Sequence, residues 1–148
     1  MHFEGTETFA AEPAAVFARL ADAGWVARAL PAGELLTVSA DAAAWKVRPM
    51  FAFMAGSLDT TATVSYRTPD RSVRYRISSQ GIGSRSLMEA TLSVRPKETS
   101  GSIVHWTGDL VDLGGLLGRV PKAMVQAAAL RTIADVWQAV HAGVEREV

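Results

Sequence analysis

Apolar and polar positions alternate with a period of two through the middle of the chain, then switch to a period of three to four. Between Leu58 and Leu113 the alternation, broken by turn-forming clusters, predicts four consecutive strands. From Pro121 to about Arg146 the longer period predicts one amphipathic helix. Its apolar stripe is Val125, Ala129, Ile133, Val136 and Val140, flanked by Leu130 and Trp137, while Lys122, Gln126, Arg131, Asp135 and Gln138 lie elsewhere. Strands joined by tight turns pair as an antiparallel meander. A single helix is too narrow to fill the curve of such a sheet, so the pattern predicts a cavity beneath it.

Strand parity assigns faces. Val73, Tyr75 and Ile77 alternate with Arg74, Arg76 and Ser78, and Met88, Ala90, Leu92 and Val94 alternate with Glu89, Thr91, Ser93 and Arg95. The apolar sets face the helix. On the last strand Val104, Trp106 and Leu110 join them, whereas His105, Thr107 and Asp109 meet water. Turns fall at Thr68-Pro69-Asp70, at Gln80 to Gly83 and at Pro96 to Gly101, each rich in chain-reversing residues. Earlier in the chain, Phe3 to Phe9 alternates weakly, and Pro13 opens a short helix to Leu20. A second short helix covers Gly24 to Leu30 and stops at Pro31-Ala32-Gly33. Leu35 to Ala40 and Ala43 to Arg48 then form a hairpin about Asp41.

The 148 residues contain no linker-like stretch, which predicts one domain over 1–148 with enough core to shelter a pocket. Hydrophobic residues are 49% of the chain, and 15 basic side chains balance 15 acidic ones. Nothing in that balance calls for nucleic acid. The absence of cysteine excludes disulfides, thiolate metal ligands and a thiol nucleophile. The first residues lack a basic stretch followed by an apolar one, and no segment is long and apolar enough to span a bilayer, so a cytoplasmic location is expected.

The order strand, two short helices, six strands and long helix is that of an α+β helix grip. Four local patterns sharpen it: Phe3-Glu4-Gly5 in the first strand, Pro13 with Val16-Phe17 in the first helix, Leu30-Pro31 with Gly33 after the second, and Gly115-Leu116-Leu117-Gly118-Arg119 before the last. Together they resemble the CoxG-like family associated with carbon monoxide dehydrogenase, a branch of the START-like (SRPBCC) polyketide cyclase and lipid-transfer superfamily. The resemblance covers nearly the whole chain. It implies a curved sheet of about seven strands wrapped around the C-terminal helix, no covalently held cofactor, and a bound lipid or other hydrophobic small molecule. It also implies a membrane surface or an oxidoreductase as partner, which places the protein in the cytoplasm or peripherally at the inner face of the membrane.

Candidate cavity residues are Trp45, Phe51, Phe53, Tyr75, Met88, Trp106 and Met124, the large apolar side chains of the kind that line ligand pockets. The same residues are also what an ordinary core is made of. Met50 to Gly56 is apolar where a polar hairpin connection is expected, and Leu116-Leu117 poses the same choice between buried segment and exposed rim. Arg67, Arg74, Arg76 and Arg85 align as a basic stripe on the outer sheet face, partly compensated by Asp59 and Glu89.

Catalytic signatures are missing. His2, His105 and His141 are isolated, so no metal site is expected, and Gly81 to Ser84 is neither a nucleophile elbow nor a phosphate loop. Asp112 is expected at the surface, and a bulge that shifts the register could point it inward. Two functions of different class follow: a noncatalytic carrier or accessory protein, which the parity of Tyr75 and His105 favours, and a cyclase or dehydratase in which Tyr75, His105 or Asp112 moves protons.

Overall fold

The computed structural model describes residues 1–30, 34–48 and 56–147. The chain runs β1 (His2–Phe9), α1 (Pro13–Leu20), α2 (Ala23–Ala29), β2 (Glu34–Val38), β3 (Ala42–Val47), β4 (Leu58–Thr68), β5 (Ser72–Gly81), β6 (Ser84–Pro96), β7 (Ser102–Gly115), a 3-10 turn (Leu116–Arg119) and α3 (Lys122–Arg146). Seven strands make one antiparallel sheet in the order β1-β7-β6-β5-β4-β3-β2. Because β1 and β2 occupy opposite edges, α1 and α2 carry the chain across one end of the sheet and cover that end of its concave face.

Local chemistry sets these elements. Pro13 opens α1, where its missing N–H costs nothing. The Asp22 carboxylate accepts from the Trp25 amide at 3.0 Å and caps α2. Carbonyls left free where α1 ends are taken up from the sheet: the Tyr75 hydroxyl donates to Leu20 O at 2.6 Å, and the Arg67 guanidinium donates to Ala21 O and Ala40 O. Arg67 therefore leaves the expected outer stripe. A bulge between Val64 and Tyr66 shifts the register so that Arg67 lies opposite Val73, on the inner face. Of the remaining stripe, Arg74 pairs with Glu89 and Arg85 pairs with Asp112, while Arg76 is exposed.

The core gathers at the α1–α2 end. Phe9, Val16, Leu20, Val94 and Val104 pack with Trp137, Val140 and Val144 of α3, and Val16, Val94, Val104 and Val140 are essentially sealed from solvent. Each such burial contributes about 1.5–3 kcal/mol. A second cluster joins Ala21, Ala23 and Ala27 to Ala43, Trp45, Ala62, Val73 and Tyr75. The C-terminal half of α3 is held by polar clamps as well. Glu147 accepts from the Trp25 indole at 2.9 Å and pairs with Arg19, and His141 stacks on Phe9 and meets Glu7 at 2.9 Å. Gly143 makes the crossing possible, because a Cβ there would already touch the Trp25 ring at 3.1 Å.

The other end of α3 is held differently. Its first turn has no side-chain cap and no acidic residue, and carries Lys122, which opposes the helix dipole. Met124 and Leu130 are 47% and 49% exposed, so the stripe flank expected at Leu130 is at the surface while that at Trp137 is core.

Candidate functional site

Register sorts the inner face into rows running across the strands. Nearest α1 and α2 the rows are closed: Val73, Tyr75, Val94 and Val104 are buried. Moving toward the β5–β6 hairpin, the next inward positions are Ala62, Ile77, Met88 and Leu110 in one row, then Thr60, Ser79, Ser86 and Leu113 in the row beyond. Ile77, Met88, Ala90, Leu92, Leu110 and Leu113 all face inward yet stay only half-buried. This part of the concave face, hereafter the hollow, is thus less tightly closed than the α1–α2 end, although Ala62 and Thr60 within it are buried. It lies where the narrow helix was expected to leave a cavity.

The inward positions toward the β5–β6 hairpin carry no charged side chain; the inward Arg67 of β4 lies at the other end. Asp59, Arg76, Arg85, Glu89, Asp109 and Asp112 all take outward register positions along the strands that line the hollow. Asp112 is instructive. A bulge does occur at Val111, opposite Leu87 and Met88, but its effect is the reverse of the expected one. The two-residue step through Val104, Trp106 and Leu110 alone would bring Asp112 inward, and the bulge turns it outward, where its carboxylate meets Arg85 at 2.9 Å. His105 is exposed on the outer face. Tyr75 points inward, but its hydroxyl is engaged by Leu20 O, and burial holds its pKa well above the usual tyrosine value. Among the described residues, none of the three groups named for proton transfer reaches the hollow.

The expected cavity residues separate accordingly. Met88 lines the hollow. Trp106 stands at the boundary: half-buried, with its ring centroid 6.2 Å from that of Trp137, lying over Gly5 where any Cβ would collide with the indole. Its Nε1 is buried with no partner among the described residues. Trp45 and Tyr75 face inward but sit in the closed cluster under α1 and α2. Met124 does not face the interior; it lines an open groove of about 430 Å³ with Leu116, Arg119, Val120 and Pro121, outside the mouth. Phe51 and Phe53, with the rest of Met50 to Ala55, lie outside the described residues. Of the paired leucines, Leu117 is buried and Leu116 is 44% exposed.

Ile77, Leu110 and a set of inward hydroxyls, Thr60, Ser79, Ser84 and Ser86, were absent from the expected site. Parity already places Ile77 and Leu110 inward, and carrying the two-residue step on past Ile77 and back before Met88 reaches Ser79, Ser86 and Ser84, while Thr60 follows from the β4–β5 register. Thr60 Oγ1 and Ser79 Oγ lie 2.8 Å apart, which confirms that they share a face. Gly115 ends β7 here. Its φ of 64° belongs to the left-handed region, and a side chain there would strike the Gly83 carbonyl.

Neither side-chain chemistry nor spacing provides a metal site: no group of three or more His, Cys, Asp or Glu converges among the described residues. No helix among them is long and apolar enough to cross a membrane.

Residues 1–145 match the family model described as polyketide cyclase / dehydrase and lipid transport. No match is found among curated protein sequences. A conserved protein from Geobacillus kaustophilus is similar in structure over 99% of this chain and 96% of its own, at a TM-score of 0.82 and 14% identity. A START superfamily protein from Mycobacterium smegmatis covers 99% of both chains at a TM-score of 0.73 and 16% identity. The Zhui aromatase/cyclase from Streptomyces sp. R1128 covers 99% of this chain and 94% of its own at a TM-score of 0.71 and 21% identity. The shared architecture is the START-like helix grip.

Proposed function

We propose, from the premise that the chain belongs to the polyketide cyclase / dehydrase and lipid transport family, that it binds a hydrophobic small molecule or lipid between the sheet and the first half of α3 without transforming it. One observation carries this reading. Ile77, Met88, Ala90, Leu92 and Leu110 form an apolar wall that is only half-buried, while the charged residues of β5, β6 and β7 turn outward. Apolar walls of this kind remove a hydrophobic ligand from water. Proton transfer needs a titratable group within reach of the substrate, and the engagement of Tyr75 and Asp112 elsewhere speaks for a carrier.

In the finer form of this reading, the chain works as one domain of the CoxG type, presenting its ligand, or itself, to a membrane or an oxidoreductase on the cytoplasmic side. The apolar and basic groove outside the mouth, with Leu116, Met124 and Arg119, suits contact with an anionic lipid surface. A second reading, cyclase or dehydratase chemistry in the same hollow, is favoured by the inward hydroxyls at Thr60 and Ser79 and by the likeness to an aromatase/cyclase.

Native mass spectrometry of protein purified from its own cells, followed by extraction of the bound species, tests the proposal. A co-purifying acyl lipid or quinone, returned chemically unchanged, is the expected result. A bound linear polyketide converted to a cyclised product on incubation would replace carrier with enzyme.

A further inference from the structure

The hollow is apolar in its depth but not throughout. Thr60, Ser79 and Ser86 stand side by side across β4, β5 and β6, each at the inward register position. Ser84 continues the band one step toward the hairpin, opposite Gly81 and Gly115. Four hydroxyls on the inner face of an otherwise apolar wall are costly unless something bonds to them. Thr60 and Ser79 satisfy one bond mutually, at 2.8 Å. Ser84 does not: the residue is 7% exposed, and its Oγ is buried without a partner among the described residues. A buried hydroxyl left unpaired is uncommon and calls for an explanation.

Charge narrows what the band can receive. Asp59, Arg76, Arg85, Glu89, Asp109 and Asp112 take outward register positions. Asp59 and Arg85 thus border the same open pocket of about 450 Å³ as Ser84 only from the outward rows, and Arg85 is paired with Asp112. The one inward cation of β4, Arg67, is engaged at the other end by Ala21 O, Ala40 O and Asp41, so no free charge shares the inward rows of the hydroxyls. An ionised carboxylate, phosphate or ammonium placed there would lose its hydration with nothing to balance it. A neutral group loses much less. Hydroxyl side chains donate and accept, and so match either a carbonyl or another hydroxyl.

Resting on the proposed binding of a hydrophobic molecule in this hollow, we infer that the band formed by Thr60, Ser79, Ser84 and Ser86 is a polar subsite for the uncharged oxygen-bearing end of an amphipathic ligand, a ketone, quinone carbonyl, phenol or alcohol. The apolar body of that ligand then lies deeper, against Ile77, Met88 and Leu110. This orientation puts the reactive or recognisable end of the cargo next to the mouth.

Binding of matched ten-carbon probes at neutral pH tests the assignment: 1-decanol, 2-decanone, 1-bromodecane, decanoate and decylammonium, measured by displacement of a solvatochromic fluorophore. The alcohol and the ketone should bind at least about tenfold more tightly than the two ions. The double variant Thr60→Val with Ser79→Ala should weaken the alcohol by about three- to tenfold and leave 1-bromodecane unchanged. Ser86→Ala, at a half-buried position that leaves the Thr60–Ser79 pair intact, gives the same comparison should the double variant fold poorly, as checked by thermal melting. Equal binding of all five probes, or equal losses for alcohol and bromide in the variants, would overturn the subsite while leaving hydrophobic binding standing. Binding of none of the probes would remove the hollow as a binding site, and the subsite with it.

Discussion

The two ends of the concave face are built from the same strands and lie under the same helix, yet they are put together in opposite ways. At the α1–α2 end, side chains of four elements interlock around Val16, Val94, Val104 and Val140, and polar clamps from Glu147 and His141 fasten α3 to α1, α2 and β1. At the hairpin end Ile77, Met88, Leu110 and Leu113 stay only half-buried, and α3 begins without a side-chain cap and with a misplaced lysine. The backbone is strained there too: Ile82 and Gly83 form the β5–β6 turn with φ of 56° and 65°, a region that β-branched residues disfavour. Packing is concentrated in one half, the division on which the proposed binding of a guest in the other half rests.

Mutation should expose that division. Trp137→Ala, in the closed half, should lower stability by about 3–5 kcal/mol in chemical denaturation. Met88→Ala, at an inward position of the same sheet, should cost less than about 1 kcal/mol because the site already opens to solvent; equal costs at the two positions would erase the distinction. Ile82→Asn relieves a left-handed β-branched residue, and asparagine tolerates that conformation, so the melting temperature should rise with a gain of about 0.5–1 kcal/mol. A fall would show that the Ile82 side chain matters more than its backbone.

The smallest effect concerns pH. Hydrogen bonds from the Trp25 indole and then from Arg19 hold the Glu147 carboxyl below the usual glutamate range. A carboxyl with a lowered folded pKa adds stability above its unfolded pKa and loses it as pH falls through the folded one. The melting-temperature gap between the native chain and Glu147→Gln should therefore be present at neutral pH and close on acidification. A gap that is constant with pH would mean that the clamp does not act through the charge.

Periodicity revealed much of this architecture. The α1 bounds, Pro13–Leu20, are those read from the sequence, α2 shifts by one residue at both ends, and α3 by one at its start. Parity put Ile77, Met88, Trp106 and Leu110 on the inner face and His105 outside, because side-chain direction is fixed by the two-residue step. Depth is another matter. Alternation tells which way Trp45 and Met88 point, but only the path of α1 and α2 across one end decides that Trp45 is sealed and Met88 is not. Bulges were equally opaque: one extra residue near Ser65 turned Arg67 into a cap for α1, and another at Val111 sent Asp112 to Arg85. Met124 missed the interior because α3 turns that residue away from the side on which Val125 and Ala129 are buried. The hydroxyl band was overlooked because serine and threonine, read for polarity alone, look like surface.

Methionine methyl groups report on the central claim most directly. With ¹³C-methyl-methionine protein and resonances assigned by single Met→Leu substitutions, titration with 1-decanol should shift the Met88 methyl in a saturable, one-to-one manner and leave Met124 nearly still. Movement of Met124 without Met88 would place the guest in the outer groove, and no movement of either would contradict a ligand-accepting hollow beneath α3.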